Sequence, residues 1–345
     1  LILRSPSAAK EANNVMSIVG ILVVGINLLR PSLGMSRELL VLKCGGAVWA
    51  ITGLYENIAP LLTPGYNVTN IEPFGQLAFL GCLVYVVANR FFQNEKYLHT
   101  ITYELETARQ IQSFILPRKT LDIKGIYLAA HYVPMASVAG DFYDFIKVDE
   151  KRLGILVADV SGHGVPASLI SSMVKIALSS QLPHAHNPAQ VLAGINQILC
   201  GKLESDFVTA SYLYLDTEKQ TATYAGAGHP PLLLWRGSEQ KIYEYRKKGI
   251  ILGQLEDARY QNIELSLKSG DRFVLYTDGI IEATNAAGDL FGWSHFKEFI
   301  TSHAQLSVGN FADGLVQHIS NWSGKHSDEA LDDDLTLVVA DFKNR

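Results

Sequence analysis

Apolar residues crowd the first quarter of the chain in three runs. Val15–Leu29 is almost uniformly apolar over about fifteen residues, short of the roughly twenty that cross a bilayer as a helix. Leu39–Leu62 is long enough, interrupted by Lys43 and by Tyr55–Glu56–Asn57, and Phe74–Phe92 carries no charge before Arg90. The pattern predicts three membrane helices; the alternative is a helical domain whose apolar helices bury one another. Beyond them, Leu98, Ile101, Leu105, Ala108, Gln112 and Ile115 recur at steps of three and four, the seam of a short coiled coil or of a helix packed on its own domain, closed by Pro117.

The pattern then changes. Ile126–Val133, Phe142–Lys147 and Leu153–Val160 read as strands, and Ser168–Leu182 and Pro188–Leu203 carry helical periodicity. Ala210–Asp216, Thr221–Ala225, Pro231–Trp235, Lys241–Tyr245, Ile263–Leu267 and Arg272–Tyr276 read as further strands, before C-terminal helices and a last strand at Leu335–Ala340. Neighbouring strands joined by short turns predict antiparallel pairing and an α+β domain. The expected organisation is a membrane region over 1–93, a linker helix over 94–117 and a catalytic domain over 118–345.

Composition adds limits. The chain has 345 residues and a net charge of −5, which argues against a nucleic-acid footprint. Cys44, Cys82 and Cys200 are scattered and form neither a disulfide framework nor a zinc spacing. The chain opens on Leu1 and reads as part of something longer, with further spans upstream left open. Arg30, Arg37, Lys43, Arg90 and Lys96 lie on one side of the predicted spans and Thr63–Pro73 has no Lys or Arg, which places everything after Arg90 in the cytoplasm of an inner-membrane, multi-pass protein; Arg4 and Lys10 conflict mildly. Glu56 would then sit near the outer interface, as a signal site or a snorkelling carboxylate.

Chemistry gathers at strand ends. Asp141 and Asp144 lie in GDFYD, Asp159 closes an apolar strand before the turn SGHG, Asp278 follows Arg272–Tyr276 in YTDG, and Asp332–Asp333–Asp334 precede the final strand. Like charges so placed repel unless cations offset them, and carboxylates suit hard divalent ions. Gly162 and Gly164 serve the tight turn. No P-loop, kinase glycine loop or nucleophilic triad is evident.

GDFYD, ADVSGHG, AGHPP, YTDG and DDLT, in this order from about Glu104 to Phe342, resemble the metal-dependent protein phosphatases of the 2C type, in their bacterial RsbU/SpoIIE-like branch. The resemblance implies two antiparallel sheets flanked by helices, with two Mn²⁺ or Mg²⁺ ions at one end activating a water that attacks a phosphoserine or phosphothreonine directly. Carried over by motif, Asp141, Asp159, Asp278 and Asp333 hold the metals, with the backbone carbonyl of Val160 as a further ligand and Asp334 beside them in a supporting place. Asp144 is an outer partner or a turn residue. His163 is a general acid or a turn residue, His229 is structural, and a phosphate-gripping arginine has no counterpart. ELETARQIQSFILP resembles the linker helix of that branch, which implies a parallel homodimer. The implied substrate is a phosphorylated regulatory protein of the STAS type. The rivals are a catalytically silent receptor and a metal phosphohydrolase of small molecules.

Overall fold

A computed structural model describes residues 15, 18–23, 25–26, 36–63, 69–117, 121–247, 249–324 and 332–343. The chain divides into two compact units, Leu1–Thr102 and Tyr103–Arg345. Most of the first predicted span lies outside the described residues; those of its positions that are described are helical.

In the first unit, α1 (Arg37–Leu62) starts where the Ser36 side chain accepts from the Leu39 N–H at 3.3 Å. α2 (Glu72–Ile115) has 44 residues, about 66 Å of helix at 1.5 Å per residue. Small residues let the two helices approach. A Cβ on Gly45 would lie 2.8 Å from Cys82 Cβ, and one on Gly75 would lie 3.0 Å from the Trp49 backbone. Trp49 stacks on Phe79, and Arg90 pairs with Glu38 at 2.9 Å. Glu56 accepts from the Glu72 N–H at 2.5 Å, so it caps the start of α2.

The predicted third span and linker are not separate elements. Between Gly81 and Pro117 no proline or glycine interrupts the helix, and α2 runs unbroken to Ile115. It stops there because the residue before a proline avoids the helical region.

Among the described residues the second unit holds ten strands: β1 (Ile126–Val133), β2 (Phe142–Lys147), β3 (Arg152–Val160), β4 (Val208–Asp216), β5 (Thr221–Ala227), β6 (Leu232–Arg236), β7 (Lys241–Tyr245), β8 (Ile263–Ser266), β9 (Asp271–Tyr276) and β10 (Leu335–Phe342). They form two antiparallel five-stranded sheets, ordered β1-β10-β9-β6-β7 and β2-β3-β4-β5-β8. Between the sheets pack Leu153, Ile155 and Val157 of β3 against Phe273, Leu275 and Val338. The other face of β3, Leu156, Ala158 and Val160, is covered by α3 (Val165–Ser180) and α4 (Pro188–Leu199). Burial on both faces is why this strand reads as a continuous apolar run rather than an alternating one. The outer face of the first sheet is covered by α5 (Gly279–Glu282), α6 (Gly292–Ser302) and α7 (Val308–Ser323), through Phe296, Phe299, Phe311 and Leu315.

The predicted helix over Pro188–Leu203 stops at Leu199. Cys200 turns to an extended conformation and Gly201 takes φ +73°, which breaks the helical ladder. Asp159 is followed by one more strand residue, Val160.

Candidate metal centre

Register carries the acidic residues to one end of the sandwich. Phe142 pairs with Ala158, so the next step outward sets Asp141 beside Asp159. β9 pairs with β10 through Tyr276 and Leu337, and the ladder continues as the Thr277 N–H donates to Thr336 O at 3.1 Å. Asp278 therefore faces the start of β10, where Asp333 and Asp334 stand. β1 reaches the same end, since Val133 pairs with Leu335, and residues 134–141 cross from one sheet to the other there.

Two glycines make the close approach feasible. A Cβ on Gly279 would lie 2.1 Å from Asp334 O, and one on Gly140 would lie 2.9 Å from Val160 O. Gly162 and Gly164 hold φ of +83° and +77° in the turn after Asp159, as L side chains rarely do.

The carboxylates differ in their partners. Asp141 is buried, and its Oδ2 accepts from the Thr277 hydroxyl at 2.7 Å; burial and then the charge of Asp159 hold its pKa well above the carboxylate range. Asp159 is pushed up to about 7, by burial first and then by Asp278, Asp333 and Asp334. Burial, followed by the Asp333 charge, raises Asp278. Burial raises Asp333 too, although its side chain accepts from the Asp334 N–H at 2.8 Å and the exposed His163 lies close enough to draw it down. Asp334 has both oxygens engaged: one accepts from the Met135 N–H at 2.7 Å, the other from the Gly140 N–H at 2.8 Å. It clamps the 134–141 crossing.

Buried carboxylates raised by one another form an excess of negative charge that a hard cation offsets, and the donor set is oxygen throughout. Among the described residues, no three Asp, Glu, His or Cys side chains are drawn together tightly enough to hold an ion as they stand. The fit is therefore one of charge and donor chemistry.

Other expectations resolve differently. Asp144 is not a turn residue: it lies within β2 and pairs with Lys175 of α3 at 2.5 Å, because alternation along the strand turns it toward that helix. His229 is buried, bonds Thr209 Oγ1 through Nδ1 at 2.7 Å, and is pushed down to about 3 by burial, so it is neutral and structural. The sequence reading missed Thr277, Tyr132 and Glu282. Tyr132 carries a buried hydroxyl raised by burial and by the Asp334 and Asp141 charges, and Glu282 lies one turn after Asp278 and is raised by burial, Asp278 and Asp333. Only Glu282 had a signal, its i+4 spacing from Asp278 on a short helix.

The family model described as Stage II sporulation protein E (SpoIIE) matches residues 149–343. The chain belongs to the SpoIIE family. The phosphoserine phosphatase RsbU of Bacillus subtilis (strain 168) is 32% identical over 243 residues, 69% of this chain and 70% of RsbU. The phosphoserine phosphatase RsbP of the same organism is 26% identical over 245 residues, 70% of this chain but 58% of RsbP. The SiaA-PP2C domain of Pseudomonas aeruginosa superposes with a TM-score of 0.63 at 25% identity, over 72% of this chain and 99% of that one. The PP2C domain of SpoIIE from Bacillus subtilis, at 18% identity and TM-score 0.53 over 64% of this chain and 62% of that one, shares the fold. The SpoIIE-type domain here is a protein-serine/threonine phosphatase of the 2C type, in a metal-dependent family. The family match covers Asp159, Asp278, Asp333 and Asp334 and begins after Asp141, whose place in the site rests on the register of β2 with β3.

Proposed function

We propose that the chain is a membrane-anchored phosphoprotein phosphatase that hydrolyses phosphoserine or phosphothreonine on a STAS-type regulatory protein, using two Mn²⁺ or Mg²⁺ ions. The observation that carries the chemistry is the convergence of Asp141, Asp159, Asp278 and Asp333 at one sandwich end, with carboxyl pKa values raised by burial and mutual repulsion. These four, with the Val160 carbonyl, would hold the ions. When bound, such ions polarise phosphoryl oxygens and lower the pKa of a water. The chain's own part is placement. Asp334 fixes the crossing that presents Asp141, and Thr277 orients the Asp141 carboxylate.

Membrane anchoring is supported by the length and apolar character of two helices over Arg37–Ala59 and Glu72–Ile115. Ile51 and Leu77 on them are each 67% exposed, as side chains facing lipid would be. RsbU and RsbP are named phosphoserine phosphatases, which favours a phosphoprotein over a small molecule. Dimerisation would use the part of α2 along Leu98, Ile101 and Leu105, since Gln112 and Ile115 are engaged with their own domain.

The test is Mn²⁺- and Mg²⁺-dependent phosphate release by the full chain in detergent. Substrates are a phosphorylated STAS-type protein, a phosphoserine peptide and a nucleotide. Asp159→Asn and Asp278→Asn should each lower turnover by about 10³-fold, the several kcal/mol that metal charge stabilisation supplies. Turnover independent of metal, or unchanged in both variants, would sink the reading; preference for the nucleotide would redirect it to small-molecule chemistry.

A further inference from the structure

Residues 228–231 cross from β5 in one sheet to β6 in the other, and Gly228 bridges Ala210 near the start of β4, at the end of the sandwich where the acidic residues gather. The passage is tight: Gly228 holds φ +69°, and a Cβ there would lie 2.3 Å from Ile251 Cγ2. His229 follows and is 4% exposed. Pro230 and Pro231 come next, and their fixed φ ties the imidazole to the start of β6. Nδ1 shares a hydrogen bond of 2.7 Å with Thr209 Oγ1 on β4. Nε2 is buried without a hydrogen bond of ordinary geometry, although burial, which drives the ring neutral, is opposed by the nearby backbone of Tyr276 on β9. A buried polar ring with one good bond costs free energy that an apolar side chain of similar bulk would not, so the bond to Thr209 has to be weighed for what it positions.

Thr209 stands directly opposite Asp159 in the register of β3 with β4. Val157 and Leu213 on these strands face the space between the sheets. A side-chain period of two puts Asp159 and Thr209 on that same face, with Cβ atoms about 4.5–5.5 Å apart. On the other sheet, Tyr276 lies two residues before Asp278.

We infer that His229 is a positioning residue that ties the two sheets together beneath the metal centre, holding Asp159 in place against Asp278 through the Thr209 hydroxyl. The inference rests on the phosphatase reading above. Register fixes which acids are neighbours within a sheet, but their separation across the sandwich depends on what joins the sheets at that end. Asp334 clamps one crossing, residues 134–141, and His229 holds the other, residues 228–231. Without the bond to His229, β4 keeps its pairing with β3 and loses its tie to the chain entering β6. A misplacement of about 1 Å at a reacting centre costs on the order of 10²-fold in rate, so the tie bears on chemistry more than on folding.

The test compares the full chain in detergent with Thr209→Val, which keeps the shape and removes the hydroxyl, Thr209→Ser, which keeps the hydroxyl, His229→Leu, and the double variant Thr209→Val/His229→Leu. In Thr209→Val, kcat on a phosphoserine peptide at saturating Mn²⁺ should fall about 10- to 100-fold, as for groups that orient a metal ligand, with KM within about twofold, since neither residue is placed to touch substrate. The paramagnetic resonance spectrum of the Mn²⁺-loaded protein, whose exchange splitting follows the separation of paired ions, should change in the same variant. Thr209→Ser should restore both readouts, which a general loosening of the fold would not allow. The double variant should lose no more than His229→Leu alone, because the two residues act through one bond. Wild-type kcat and spectrum in Thr209→Val, a Thr209→Ser protein as impaired as Thr209→Val, or losses that multiply in the double variant would each overturn the inference. Should His229→Leu fail to fold, the two Thr209 variants decide it. Failure of the phosphatase reading would appear in the wild type itself, as absent Mn²⁺ binding and turnover, and would overturn both.

Discussion

Two buried ionic regions share the sheet β1-β10-β9-β6-β7 and handle charge in opposite ways. Along its strands, Arg272 grips Asp341 with two bonds of 2.6 and 2.8 Å and stacks over Phe311, and Arg236 bonds Asp271 at 3.1 Å. At its end, Asp278 and Asp333 face Asp141 and Asp159 across the sandwich with no Lys or Arg paired to them among the described residues, and burial and one another's charge raise their pKa values. The first region is compensated by folding alone. The second is left negative, and its compensation must come from outside the chain. Buried carboxylates in this fold therefore divide into those paired within it and those that, on the proposed function, it would hold for a cation.

The contrast can be broken most strongly at the acidic end. Asp159→Asn should lose about 10³-fold in metal-dependent turnover, yet stabilise the metal-free chain by ~1–3 kcal/mol, because it removes a repelled charge. Asp341→Ala should do the reverse in sign. It strands the buried Arg272 and costs about 3–5 kcal/mol by denaturant melting, with metal present or absent. Should both substitutions shift metal-free stability in the same direction, the division fails.

Backbone approach gives a middle-sized effect. In Gly279→Ala the new methyl would meet Asp334 O at 2.1 Å, forcing the Asp278 turn away from β10. A loss of about 1–3 kcal/mol is expected, with Mn²⁺ affinity lowered in parallel; a melting curve and titration matching wild type would refute the close fit.

The smallest effect is one of pH. Asp159 is raised from 3.8 to about 7, so its favourable contribution is full below its unfolded pKa and is lost as pH rises through 7. His229 is lowered from 6.5 to about 3 and acts oppositely: its contribution is full above 6.5 and is lost as pH falls toward 3. Of these two groups Asp159 is the one whose folded pKa lies in the window from pH 8 to 6.5, so the metal-free chain should gain stability on acidification across it. Saturating Mn²⁺ should flatten or reverse that slope, since protons then compete with the ion. Thermal melts across this window with and without Mn²⁺ check both signs.

Much of this was readable in the chain. Strand periods placed β1, β2 and β7 to the residue, and the acidic strand ends singled out in the sequence meet at one end of the sandwich. The turn reading of Asp144 fails because the residue lies in a strand and pairs with Lys175, 31 residues away on another element. The third span and the linker differ in polarity from Arg90 onward yet share one helix, because helix continuity depends on backbone breakers and none occurs between Gly81 and Pro117.

The sequence by itself determined which segments are helix or strand, which residues are acidic at strand ends, and where glycine permits a turn, because periodicity and backbone freedom are local properties. Only the tertiary structure decided which acids meet, that Asp334 clamps Gly140 from 194 residues away, and that Gln112 binds a backbone 27 residues on. Such contacts depend on strand order and register, and these are chosen by the packing of three hydrophobic cores at once.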